Sequence, residues 1–118
     1  MQTKGLAYVM LGAADVDRSA AFYRERLGLT LSARFEDFAF LDAGTVTLAL
    51  SGELARREGV EGREPLELVF SVESVTAAYD ALKTTVSFDN EPRPVNDQNW
   101  AVNFSDPDGH SLSFYGPQ

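Results

Sequence analysis

The feature that most constrains this chain is an internal repeat. A strand-like run from Leu6 to Leu11 leads into Asp15, Val16, Ala20, Tyr23 and Leu27. That pattern is an acidic cap followed by apolar residues spaced for one helix face, and Gly28 offers the stop. Fifty-nine residues on, half the length of the 118-residue chain, a second run from Leu66 to Val72 precedes Ser74, Val75, Tyr79 and Leu82. Ser74 stands where Asp15 stands, and Val75, Tyr79 and Leu82 repeat the i, i+4, i+7 spacing of Val16, Ala20 and Tyr23. Short β-favouring stretches follow each helix. In the first half they are Leu31–Phe35, Phe38–Leu41 and Thr45–Leu50; in the second, Val86–Phe88, Trp100–Phe104 and Ser111–Tyr115. The turn sequence Asp106-Pro107-Asp108-Gly109 joins the last two. Each half therefore reads βαβββ, with repeat one at about 1–58 and repeat two at about 59–118 of a single domain, 1–118. The segment from Gly52 to Pro65 joins them, and its Arg56, Arg57, Glu58, Glu61, Arg63 and Glu64 read as a solvated connector.

Alternation along the clearest strands separates two faces. One carries Ala7, Val9, Leu11, Val46, Leu48, Leu50, Leu66, Leu68, Phe70, Val72, Leu112 and Phe114, and helices are expected to cover it. The other carries Leu6, Tyr8, Met10, Thr45, Thr47, Ala49, Glu67, Val69, Ser71, Ser111, Ser113 and Tyr115, a small and partly polar set. On one sheet such a face is the wet side. Two repeats allow another arrangement, an α+β fold of two curved sheets around a trough with the helices outside, and a trough lined by hydroxyls, one acid and aromatic rings suits a ligand.

Composition removes several classes of function. Eighteen acidic against ten basic residues give a formal charge of −8, the wrong sign for gripping phosphate backbones, so nucleic acid is not an expected partner. The absence of cysteine excludes disulfides, thiolate metal sites and a cysteine nucleophile. No stretch approaches the roughly 20 apolar residues of a membrane span, and no leader pattern opens the chain, so a cytoplasmic protein without a membrane partner is expected.

Two segments carry a family resemblance: Asp15-Val16-Asp17-Arg18-Ser19-Ala20-Ala21-Phe22-Tyr23 running to Leu27-Gly28-Leu29, and Phe104-Ser105-Asp106-Pro107-Asp108-Gly109-His110. With the repeat they resemble the vicinal oxygen chelate superfamily of glyoxalases, extradiol dioxygenases and bleomycin-resistance proteins. Members similar to glyoxalase hold a divalent metal with one His, Glu or Gln from each of four strands. The resemblance places those four positions on Tyr8, Thr47, Glu67 and Ser113. Only Glu67 is a usual ligand, and a catalytic site needs about three, so the expectation is no cofactor and no metal. The resemblance is closest in character to the metal-free, bleomycin-resistance-like members, and a tryptophan near the place of Trp100 lines the drug cleft there. It also implies a homodimer.

Among individual residues, His110 and the pair Asp106 and Asp108 read first as turn structure, although a lone histidine or paired carboxylates also suit acid–base work. Glu67 interrupts an apolar strand. It either joins a hydrogen-bonded network with Tyr8, Thr47 or Ser113, attracts a cationic or donor-bearing ligand, or sits on an exposed rim. Tyr8 and Tyr115 serve packing or ligand stacking equally well, Trp100 serves the core or a pocket, and Phe35 and Phe38 form a pocket wall or a dimer contact. The functional expectation is a small organic ligand bound without metal by Tyr8, Thr47, Glu67, Trp100, Ser113, Tyr115 and Phe38, with drug or metabolite sequestration as the role. No catalytic residue is assigned. The alternatives are a metal-dependent lyase, isomerase or dioxygenase of the same superfamily, a metal-free catalyst with Glu67 as base and Tyr8 as donor, and a dimeric interaction protein with a filled trough.

Overall fold

The structure is a computed structural model, and it describes Gln2, Lys4, residues 7–56 and residues 66–118. Leu6, at the start of the first expected strand, and Arg57, Glu58, Glu61, Arg63 and Glu64 of the connector lie outside the described residues. The chain divides into two compact units, Met1–Arg63 and Glu64–Gln118.

The first unit runs β1 (Tyr8–Gly12), α1 (Val16–Glu25), β2 (Thr30–Phe35), β3 (Phe38–Asp42), β4 (Thr47–Ser51) and a short α2 (Gly52–Arg56). Asp15 caps α1 as the sequence predicts, its Oδ1 accepting the Arg18 N–H at 3.0 Å. At the far end Gly28 takes φ 73°, a left-handed conformation natural to glycine, and the Leu29 N–H turns back onto the Tyr23 carbonyl at 3.0 Å. The buried residues of α1, Val16, Ser19, Ala20 and Tyr23, form the expected stripe. The strands order as β1-β4-β3-β2, with β1 parallel to β4 and the other pairs antiparallel. Leu11, Ala39, Leu41, Leu48 and Leu50 share one face and are buried, forming the unit's core with α1.

The second unit repeats the plan as β5 (Glu67–Ser71), α3 (Val75–Leu82), β6 (Arg93–Pro94), β7 (Trp100–Ser105) and β8 (Ser111–Gly116), ordered β5-β8-β7-β6. Again the first strand is parallel to the last, and the remaining pairs are antiparallel. Ser74 caps α3, accepting the Ala77 N–H at 3.1 Å. Val75, Val102, Phe104, Leu112 and Phe114 are buried, and the Phe88 ring packs 4.9 Å from Tyr79 and 5.3 Å from Phe104. The two four-stranded sheets with their helices give the α+β, tandem βαβββ architecture read from the repeat.

Three local expectations need correction. Val86–Phe88 is not a strand: the Val86 N–H still bonds the Leu82 carbonyl at 2.8 Å, and Phe88 makes only an isolated bridge to Phe104. Its β-favouring residues serve an aromatic cluster, and the fourth strand is instead Arg93–Pro94 within the polar loop, an edge position where proline's missing donor costs no ladder bond. Gly52–Arg56, read as connector, is helical, with the Ser51 hydroxyl accepting the Leu54 N–H at 3.0 Å. Finally, Ala7 and Leu66, assigned to the covered face, are exposed because each precedes the first paired residue of its strand.

Candidate functional site

The faces opposite the two cores carry the candidate residues, one set per sheet. In the first sheet, register sets three rows across β1, β4 and β3: Tyr8, Thr47 and Asp42; Met10, Ala49 and Phe40; and Gly12, Ser51 and Phe38. Tyr8 meets Phe40 edge to face at 6.0 Å, and Phe40 stacks with Phe38 at 6.3 Å. Tyr8, Thr47 and Phe38 therefore share a face, as the alternation requires, and Phe40 joins them as the ring that links the other two. The helix α2 lies over one end of this face: a Cβ on Gly12 would sit 3.0 Å from the backbone of Ala55. Arg56 Nη2 reaches Asp37 Oδ2 at 2.6 Å, tying α2 to the β2–β3 turn.

The second sheet holds a polar network. Ser113 Oγ donates to Glu67 Oε2 at 3.3 Å, and Asn103 Nδ2 donates to Glu67 Oε1 at 2.9 Å. The other end of that amide accepts twice at Oδ1, from Arg93 Nη1 at 2.7 Å and from Asn90 Nδ2 at 3.0 Å. Asn90 closes the circuit by accepting the Asn103 N–H at 3.0 Å. One register row further, Arg93, Ala101 and Tyr115 line up across β6, β7 and β8, and the Tyr115 hydroxyl accepts from Asn96 Nδ2 at 3.3 Å. Ser113 is buried while Glu67 and Arg93 are exposed, so a firm base carries charged groups open to solvent.

Of the residues singled out from sequence, Glu67, Ser113 and Tyr115 are brought together here. Trp100 is not. By strand alternation it shares the face of Val102 and Phe104, opposite Asn103, because β7 pairs without interruption from Trp100–Gly116 to Ser105–Ser111. Asp106 is buried and serves the corner, its Oδ1 accepting the N–H groups of Asp108 at 2.9 Å and His110 at 2.8 Å. Asn103, Arg93, Asn90 and Phe40 were not read from the sequence. Asn103 was within reach, since the period of two along Trp100–Ser105 sets Ala101, Asn103 and Ser105 against Trp100, Val102 and Phe104. Arg93 was not, since a two-residue strand containing proline shows no period.

Two four-stranded sheets, each closing a parallel pair around a βαβββ unit, and a carboxylate where one sheet's face turns polar define a class. The chain belongs to the glyoxalase/bleomycin resistance protein/dioxygenase superfamily, whose model matches residues 5–114. Among relatives, it is 24% identical over 119 residues to the metallothiol transferase FosB of Lysinibacillus sphaericus, covering 98% of this chain and 84% of that protein. It is 27% identical over 118 residues to the glutathione transferase FosA of Serratia marcescens, covering 95% and 80% respectively. The crystal structure of FosX, a genomically encoded fosfomycin resistance protein of Listeria monocytogenes, superposes with a TM-score of 0.78 at 16% identity, covering 99% of this chain and 96% of that one, a likeness of fold.

The superfamily commonly carries a divalent metal, and the residues here do not fit one. Among the described residues no three His, Cys, Asp or Glu side chains are grouped as ligands would be. Both oxygens of Glu67 accept hydrogen bonds from neutral side chains, and a guanidinium stands one amide away, a repulsive neighbour for a cation.

Proposed function

We propose that this chain is a small-molecule-binding member of the superfamily that holds a drug- or metabolite-sized organic ligand on the face of Glu67, Asn103, Ser113 and Tyr115 without a resident divalent metal. The observation that supports this reading is the use of the Glu67 carboxylate. At the position where the family resemblance implies a metal ligand, it is engaged by Asn103 and Ser113 and backed by Arg93 through Asn103. Such a fixed network orients a polar ligand at low entropic cost, because its side chains are already ordered. Taken by itself, the first unit's face of Tyr8, Phe40 and Phe38 is an aromatic surface on which a flat molecule could stack separately. Assembly as a homodimer belongs to the same reading, and sedimentation at micromolar concentration tests it: a monomer removes it.

Metal analysis of the purified chain, followed by melting with nickel, zinc, manganese and ferrous iron, tests the main proposal. The expected result is no stoichiometric metal and no large shift. A metabolite and antibiotic library screened by thermal shift is then expected to yield ligands whose effect Glu67→Gln reduces and Trp100→Ala leaves. Near-stoichiometric metal overturns the reading, as does a library in which no ligand depends on Glu67.

An enzymatic reading draws its support from the names of the two curated relatives, both transferases. Incubating the chain with fosfomycin, glutathione and manganese checks it: steady thiol consumption above the protein-free rate establishes transfer, and its absence favours binding alone.

A further inference from the structure

Among the described residues, two opposite charges on the second sheet's polar face have no ion-pair partner. The ion pairs among the described residues are Arg34–Asp17, Arg56–Asp37 and Lys83–Asp80, so within that set neither Arg93 nor Glu67 makes a direct ion pair. They are held apart by one side chain. Asn103 cannot turn over without losing its bonds to Arg93, Asn90 and Glu67 together, so donor and acceptor ends are fixed. The separation is bounded by the 2.7 Å from Arg93 Nη1 to Oδ1 and the 2.9 Å from Nδ2 to Glu67 Oε1. With about 2.3 Å across the amide itself, the guanidinium nitrogen and the carboxylate oxygen lie within about 8 Å.

An α-amino acid has a matching reach. Its ammonium nitrogen and carboxylate oxygens lie about 3 Å apart, and a charge-assisted hydrogen bond adds about 2.8 Å at each end. We infer that the polar face of β5, β7 and β8 binds the zwitterionic head of a free α-amino acid, its carboxylate on Arg93 and its ammonium on Glu67. The inference rests on the binding reading above and names its ligand class. Tyr115 contributes as well: its hydroxyl oxygen accepts from Asn96, which leaves its proton to donate, in the register row that reaches Arg93 across Ala101. Val69, exposed beside Ser113, gives a side chain an apolar contact. The arrangement selects against singly charged molecules, since either half alone leaves one protein charge unmatched.

The test is titration calorimetry of the full chain with each of the twenty free α-amino acids at millimolar concentration, repeated for the tightest binder with its amine acetylated or its carboxylate amidated. One or more free amino acids are expected to bind, and either cap is expected to weaken binding tenfold or more. Arg93→Gln is expected to weaken the free and the acetylated forms but not the amide, and Glu67→Gln the free and the amidated forms but not the acetylated one. Caps on the ligand keep the test decisive even where a variant folds poorly. Binding that tolerates both caps overturns the inference, and so does a panel in which no free amino acid binds. If in either case the library still yields ligands lost in Glu67→Gln, only the ligand class falls; if none depends on Glu67, the binding reading falls with it.

Discussion

The two halves build the same scaffold and put different chemistry on it. In the first sheet the free face is a line of rings, Tyr8, Phe40 and Phe38, and one end is covered by α2. In the second it is a hydrogen-bonded circuit, Glu67, Ser113, Asn103 and Arg93, beside Tyr115. What the halves share lies on the other side and at the helix starts: capping oxygens at Asp15 and Ser74, buried aliphatic and aromatic residues, and a first strand parallel to the last. Backbone architecture is thus set by residues facing the helices, which leaves the opposite faces able to diverge, one toward stacking and the other toward charge.

If the cores are equivalent, removing a ring from either should cost alike. Tyr23 in the first unit and Phe104 in the second are both fully buried. Tyr23→Ala and Phe104→Ala are each expected to lose about 3–5 kcal/mol in denaturant unfolding. A loss from one that is less than half the other's would show that one unit carries the stability of both.

Gly116, the final residue of β8, and Gly52, the residue after β4, make a second contrast. A Cβ on Gly116 would collide with the carbonyl oxygen of Val72, which is backbone and held in place because the Val72 N–H bonds the Tyr115 carbonyl at 3.1 Å. A Cβ on Gly52 would collide with the Asp37 carboxylate, the far end of a side chain able to rotate away. Gly116→Ala is therefore expected to cost about 3 kcal/mol and Gly52→Ala about 1 kcal/mol, at the two ends of the range for inserting a methyl group into a packed site. Equal melting temperatures for the two variants would contradict this.

Capping is the next smaller effect. Asp15→Ala and Ser74→Ala each remove an acceptor from an orphan N–H and are expected to cost about 1 kcal/mol. A larger loss at Ser74 is the outcome to look for, because its hydroxyl also donates to the Gln118 carbonyl at 2.7 Å and so ties the segment after β8 to the start of α3.

How much of this was legible depends on which physical signal each residue carried. The helices and their caps were, because Asp15 and Ser74 precede apolar residues at i, i+4 and i+7, a pattern that burial enforces. Glu67 stood out as an acid in an apolar strand, and Ser113 and Tyr115 followed by alternation. Its partners were harder to see. Asn103 is polar on a half-buried strand and ordinary in composition, while Arg93 and Asn90 belong to a loop whose path no periodicity reports. Trp100 was placed by the family resemblance, and the alternation along its own strand reports the face it takes, opposite Asn103. The helix α2 was hidden by its charges, since Glu53 and Arg56 suit a solvated connector equally well.

That helix supplies the smallest contrast between the halves. Five residues are too few to hold a helix alone, so α2 depends on local ties: the Ser51 cap, the Gly52 N–H on the Asp37 carbonyl at 3.1 Å, the close fit of Ala55 on Gly12 and the Arg56–Asp37 pair. In the second unit the segment after β8 is tied by the carbonyls of Pro117 and Gln118, which accept the N–H groups of Val75 and Thr76 at 2.9 and 3.0 Å, and by the Ser74 hydroxyl. Arg56 and Asp37 are partly solvated, with 65% and 39% of their side chains exposed. Arg56→Ala is accordingly expected to cost at most about 1 kcal/mol. Its effect should be local: faster amide exchange at Leu54–Arg56, unchanged exchange at Val75 and Thr76, and a difference from the parent chain that shrinks as salt is added. A variant that speeds exchange through β1 and β4 as well would make α2 part of the first unit's core, and the two units would then differ in how they are held together as well as in what their free faces carry.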